Sequence, residues 1–195
     1  AAATLTTFGL AAAPAAVALD ASASIATSYL WRGTELGTGS AALAVDLSGS
    51  TGAVSYGLWV SSGDAGMGTE YDVYASYGGS VGEIGYSLGY ATYNYPSNAK
   101  QIAFQDENSE YIVGLSYGPA SVTVYENAES QKDYTYTVVG YEAGAYSFAY
   151  GSEDDKGAER THFDVSYAVN DKLSLTLSAP EDKDTIVVAS YTLPF

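Results

Sequence analysis

The chain has one histidine, and an acid follows it two residues later: His162, then Asp164. Side chains two apart in an extended segment point the same way, so the imidazole and the carboxylate can meet on one face. A carboxylate behind an imidazole is the orienting half of a general-base arrangement. No Ser–His–Asp constellation can be built around this single histidine, which is in phase with polar residues. The pair is expected to be a hydrogen bond in the lumen or a pH-sensitive surface pair. Acidic runs are the second group: Glu153-Asp154-Asp155 with Glu159, and Glu181-Asp182 with Asp184. Oxygen-rich loops can take calcium, and Asp154, Asp155, Asp182 and Asp184 are the candidates. Their spacing fits no ordered calcium loop, so a solvated acidic rim is expected. Gly63 to Gly68 follows no phosphate-binding pattern and reads as a flexible loop. Cysteine is absent, which removes disulfides, thiolate metal sites and cysteine nucleophiles. No cofactor, resident metal or enzymatic activity is expected.

The elements that would position such residues are strands. The 195 residues include 19 Tyr and 21 Gly but one Met, a composition that points away from helices. Net charge is -16, from 23 acids against 7 bases, which argues against nucleic acid and anionic lipid as partners. After residue 20 no apolar run is long enough for a membrane helix. Residues 1–18 stand apart: Leu5 to Ala18 is apolar and closes on Ala16-Val17-Ala18. This reads as the core and cleavage site of a secretory signal without its basic leader, or else as a retained N-terminal arm.

Residues 19–195 read as one barrel domain. Period-two alternation recurs in twelve stretches, near 19–31, 40–50, 53–61, 69–78, 83–94, 109–118, 120–128, 133–141, 144–151, 160–169, 172–179 and 185–195. Short turns fall at Gly49-Ser50-Thr51-Gly52, Gly78-Gly79-Ser80, Gly118-Pro119, Glu142-Ala143-Gly144 and Asn170-Asp171. Longer polar loops fall between them, at 32–39, 62–68, 95–108, 127–132, 152–159 and 180–184. Short and long connections in alternation predict an all-β fold: a transmembrane, up-and-down antiparallel barrel with both termini periplasmic.

One face of each stretch is apolar, as in Leu43/Val45/Leu47, Val113/Leu115 and Leu173/Leu175/Leu177. The other is small or polar, as in Ala44/Asp46, Gly85/Ser87/Gly89 and Ser174/Thr176. Stretch 133–141 reads both ways, and Tyr134 and Tyr136 are taken as outward. Aromatic residues recur at the ends of the apolar sets: Tyr71, Tyr77, Tyr86, Tyr90, Tyr111, Tyr117, Phe163 and Tyr167. Amphipathic rings suit the boundary between hydrocarbon and water, so these are expected to form lipid-facing girdles. Val187, Ala189, Tyr191, Leu193 and Phe195 place apolar residues at every second position up to a terminal aromatic. That resembles the insertion signal of bacterial outer-membrane barrels, which implies outer-membrane lipid and the barrel-assembly machinery as partners. Pro194 departs from the ladder one residue before the end.

Specific stretches also resemble the TorF-type porin family. Ser28-Tyr29-Leu30-Trp31-Arg32-Gly33 is similar to its aromatic-x-aromatic-Arg-Gly end of strand one, and Gly57-Leu58-Trp59-Val60-Ser61-Ser62 to its third strand. Glu70 to Tyr77, Gly82 to Tyr90, Tyr93-Asn94-Tyr95-Pro96, Glu110-Tyr111 and Gly114 to Gly118 continue the likeness. Gly33-Thr34-Glu35-Leu36 departs from the family's small-polar run. The resemblance implies a barrel in the outer membrane of a Gram-negative bacterium, and a pore, but no substrate. A His–Asp pair at a barrel mouth is also similar to the omptin proteases, and a single histidine gives that reading little weight.

In phase with the lumen are Arg32, Asp46, Trp59, Asp72, Tyr74, Tyr125, His162 and Asp164. The other lumen positions are mostly Gly, Ala and Ser. The expectation is a narrow passive channel for small solutes or ions, with weak cation preference from the carboxylates. The alternative is a structural or interaction barrel with a plugged lumen and acidic outer loops that engage a cation. The sequence does not fix whether copies form a homo-oligomer.

Overall fold

The computed structural model describes residues 18–96, 104–129 and 133–193. The signal region, apart from Ala18, and Phe195 lie outside them. In chain order the strands are β1 (Ala18–Ala26), β2 (Leu30–Trp31), β3 (Thr34–Glu35), β4 (Ala42–Thr51), β5 (Val54–Asp64), β6 (Gly68–Val81) and β7 (Ile84–Asn94). There follow β8 (Ser109–Tyr117), β9 (Ala120–Asn127), β10 (Tyr134–Ala143), β11 (Tyr146–Asp155), β12 (Ala158–Ala168), β13 (Leu173–Pro180) and β14 (Ile186–Leu193). Among the described residues twelve of these close into an antiparallel ring, each beside its neighbour in sequence, with β1 joined to β14. The remaining two, β2 and β3, form a separate small hairpin.

The ring has two unlike ends. Turns after β4, β6, β8 and β10 have two residues, each with a leading glycine: Gly52, Gly82, Gly118 and Gly144, at φ 60°, 61°, 53° and 64°. Glycine at the first central position with positive φ is the mark of a type II′ turn, whose twist suits the flanking strands. The other end carries the β1–β4 and β7–β8 connections, the longest in the chain, and the β9–β10 and β13–β14 loops. The described ends of β1 and β14 lie at the short-turn end, since Ala18 pairs with Ser50 and Ala23 with Leu193.

Alternation sorts the side chains by face. Leu47, Leu88, Val113 and Leu115 point outward, about half exposed. Tyr77, Tyr111, Tyr117, Phe163 and Tyr167 are outward and exposed, with Tyr71, Tyr86 and Tyr90 on the same face but half-buried. Tyr71 and Tyr77 are six residues apart on β6, about 20 Å along a strand. Val187, Ala189, Tyr191 and Leu193 of β14 share this outer face, while Val188 is buried inside against Ala26 and Leu30. The buried residues lie within the ring, and many are polar: Glu70, Asp72, Ser76, Glu110, Glu153, His162 and Ser178.

Four expectations are corrected. Strand one ends at Ala26, not Trp31, because Thr27 closes the last rung with two bonds to Ala189 and the chain then turns inward. Segments 62–68 and 152–159 are mostly strand, with only 65–67 and 156–157 left as turns. Their polarity reflects hairpins that run beyond the apolar belt into water, and the backbone ladder is satisfied whatever the side chains carry. Gly78 to Ser80 is part of β6, and the turn lies at Gly82-Glu83. Tyr134 and Tyr136 face inward, and Thr135, Thr137, Val139 and Tyr141 face outward. The inward rings surround a cation supplied by the loop after β1.

Candidate functional site: a constriction in the lumen

Between β1 and β4 the chain folds into the barrel and makes the β2–β3 hairpin. Its two central residues, Arg32 and Gly33, both take positive φ, at 46° and 74°, as a type I′ turn requires. A side chain at Gly33 would place its Cβ 2.6 Å from the Cβ of His162, so the tip lies flush against β12. The hairpin's base is fixed locally. Leu36 N–H donates to the Tyr29 carbonyl at 2.8 Å, and Ser28 and the Gly39 N–H donate to the Glu35 carboxylate. Those two donors hold the Glu35 carboxyl below the usual carboxylate range. Leu30 packs on Ala26 and Val188, and the Tyr29 ring lies 5.9 Å from that of Trp59.

Arg32 reaches from the tip across the lumen to Glu110 on β8. Its two terminal nitrogens sit 2.8 and 2.7 Å from the two carboxylate oxygens, a fork-to-fork pair. Tyr134 accepts a further bond from Arg32 at 2.6 Å, and Tyr93 donates to Glu110 at 2.6 Å. The guanidinium carbon is 4.4 Å from the Tyr136 ring centre, 4.7 Å from Tyr125, 5.6 Å from Tyr134 and 4.6 Å from Trp31. Side-chain exposure is 6% for Arg32 and 5% for Glu110, so the pair is taken out of water. An ion pair is sustained there when further hydrogen bonds and ring faces offset the cost of desolvation.

A second chain of contacts continues from this centre. The Tyr136 hydroxyl meets His162 Nε2 at 2.9 Å, and Asp164 meets Nδ1 at 3.0 Å. Gly151 makes room for the ring, since a Cβ there would fall 2.1 Å from Nε2. A third group lies toward β6. Tyr29 and Tyr95 each donate to Glu70 at 2.7 Å, and Tyr74 donates to Asp46 at 2.8 Å. Asp72 is buried beside Trp59 and Tyr93 in the ladder, and its Oδ1 has no hydrogen-bond partner. At the short-turn end a recess of about 540 Å³ opens between inward Ala168, Ser174 and Thr192 and the turn residues Asn170 and Lys172.

Arg32, Asp46, Trp59, Asp72, Tyr74, Tyr125, His162 and Asp164 thus all lie on the inner side of the ring. Arg32 arrives there on the inserted hairpin and not on a strand. The calcium candidates do not converge. Asp154 accepts the Gly157 N–H at 2.7 Å and closes the β11–β12 turn, while Asp155, Asp182 and Asp184 are exposed. Among the described residues no three His, Asp or Glu side chains gather to hold a metal ion. Sequence reasoning missed Tyr29, Glu70, Tyr93, Glu110, Tyr134 and Tyr136 as parts of the centre. Glu70 and Glu110 were findable, because each is a charge in phase with the small-residue face of its strand.

No protein-family model matches the sequence, and no curated protein matches it. Among solved structures, the KdgM porin is similar at a TM-score of 0.54 and 11% identity, over 91% of this chain and 99% of that one. A mutant of the Rh. blastica porin aligns at 0.42 and 17% identity, over 77% of this chain and 54% of that one. Outer membrane phospholipase A from Escherichia coli aligns at 0.45 and 9% identity, over 88% of each chain. At these identities only the KdgM match carries weight, and it speaks to fold: a porin-like twelve-stranded barrel.

Proposed function

We propose that this chain is an outer-membrane barrel of a Gram-negative bacterium that forms a narrow passive channel for small solutes or ions, with weak cation preference. The observation that carries the reading is the pairing of two surfaces. The outer one is apolar and edged by tyrosine, with the alternation of an outer-membrane insertion signal on β14, and suits lipid and the barrel-assembly machinery. The inner one is polar and narrowed by the inserted hairpin. Asp46, Glu110, Glu153 and Asp164 face inward against Arg32 and Arg160, so carboxylates outnumber the basic groups of the interior. Fixed carboxylates at a constriction favour cations and repel anions. Recording from the purified protein in planar bilayers tests this. Small, discrete conductance steps with a reversal potential that favours potassium over chloride are expected. No conductance, or anion preference, would overturn it.

A specific observation favours a second reading. The Arg32 centre spans the lumen from the hairpin to β7–β10, which is what a plugged barrel would show. A wild-type barrel that is silent in bilayers but conducts after Arg32→Ala would establish a plug that the hairpin provides.

A further inference from the structure

We propose that the barrel wall around Glu110 is a binding site for a guanidinium-bearing organic cation, and that Arg32 fills it in this structure as an internal ligand. The site's parts come from four adjacent strands: Tyr93 on β7, Glu110 on β8, Tyr125 on β9, and Tyr134 and Tyr136 on β10. None of these belongs to the hairpin, which adds only the Trp31 ring at 4.6 Å, so the carboxylate and four of the five rings remain without the occupant. The occupant is held by the three elements such recognition uses. A carboxylate takes the planar fork at 2.7 and 2.8 Å, a tyrosine hydroxyl accepts a further N–H, and the Tyr125 and Tyr136 rings lie 4.7 and 4.4 Å from the guanidinium carbon.

The chemistry selects the ligand class. Glu110 is 4% exposed, and its other donor in the described bonds is the Tyr93 hydroxyl. With the hairpin withdrawn, a buried carboxylate would face four ring systems and carry no counter-charge. Such a position draws in a cation. The two oxygens and flanking ring faces match a flat, two-pronged donor better than a tetrahedral ammonium. The hairpin can leave without breaking the barrel, since its own ladder is β2 with β3 and the ring closes through β1 and β4. As a solute site this rests on the channel reading, which the experiment tests separately.

The test is chemical rescue. Arg32→Ala is refolded in detergent and titrated with guanidinium chloride and propylguanidinium at millimolar concentration, with sodium chloride at equal ionic strength as control. Thermal midpoint and Trp31 fluorescence are the readouts. A saturable stabilisation by the guanidinium probes, at least threefold larger than that by sodium, is expected. Wild type, with the cage filled, is expected to show no saturable response, and Arg32→Ala/Glu110→Gln to lose it. A response of Arg32→Ala equal to that with sodium, or one that survives Glu110→Gln, would overturn the proposal. Should Arg32→Ala refold poorly, guanidinium is expected to restore its folded yield, and Arg32→Gln repeats the titration. Restoration that fails, with Arg32→Gln indifferent to the probes, also overturns it. Bilayer recording of the same variants separates the two readings. Saturable binding without conductance removes the channel and leaves the cage, and conductance indifferent to the probes removes the cage alone.

Discussion

The Arg32 guanidinium and the Glu110 carboxylate meet fork to fork inside the barrel, at 2.8 and 2.7 Å, and join a loop to a strand 78 positions away in sequence. Both groups are buried, so removing one strands the other. Breaking a buried pair from one side costs about 3–5 kcal/mol. Arg32→Ala and Glu110→Ala are each expected to destabilise the folded barrel by that order in urea titrations. The double variant should lose less than the sum of the two. Simple additivity would show that the pair is not energetically coupled.

Leu115 sits in the middle of β8 on the outer face, about half exposed. If that face meets hydrocarbon, Leu115→Arg should cost about 2–4 kcal/mol of stability in a bilayer. Refolding into lipid vesicles across a denaturant series measures it. A near-neutral result would place the outer face in water.

Asp72 is buried with one oxygen unpartnered. An amide replaces one of the two acceptor oxygens with a donor and carries no charge to desolvate, so Asp72→Asn should be neutral or stabilising. A loss above about 2 kcal/mol would mean that Asp72 has an essential partner.

Glu35 gives the hairpin an acid-sensitive base. Its carboxyl is held below the usual range by the Ser28 hydroxyl and the Gly39 N–H. A group whose folded value is depressed stabilises above its unfolded value, about pH 4.3 for glutamate, and that contribution is lost as pH falls through the folded value. Protease nicking between residues 27 and 41 should therefore rise as the medium is acidified below that range. Glu35→Gln should nick readily at neutral pH and lose the acid-dependent increase. An unchanged acid profile in Glu35→Gln would show that another group governs the opening.

The ring itself was legible because each strand writes its environment at period two. Leu43/Val45/Leu47 against Ala44/Asp46 needs no tertiary knowledge to sort. Where both phases hold residues that suit a strand, as in Tyr134/Tyr136 against Thr135/Thr137, the local pattern cannot choose. What settles those tyrosines is a cation from a segment a hundred residues earlier in the chain. The inserted hairpin left one local trace, Arg32-Gly33 between Leu30-Trp31 and Thr34-Glu35, since residue-Gly is a two-residue turn signal. As a stretch of sequence, Leu30 and Trp31 extend strand one without a break, because an apolar residue followed by an aromatic suits a strand in either phase. Arg32 was in phase with the interior, but its partner on β8 is fixed only by how the barrel closes.

That closure rests on one seam: among the described residues β1 and β14 pair from Ala23 with Leu193 to Ala26 with Ser190. The two strands are the first and last of the ring, so the join forms between the most distant parts of the sequence. Holding those ends together costs loop-closure entropy that hairpins between neighbours never incur. The cylinder should therefore shut last when it assembles and gape first under strain, and its natural point of rupture lies where the chain's opening and final strands clasp.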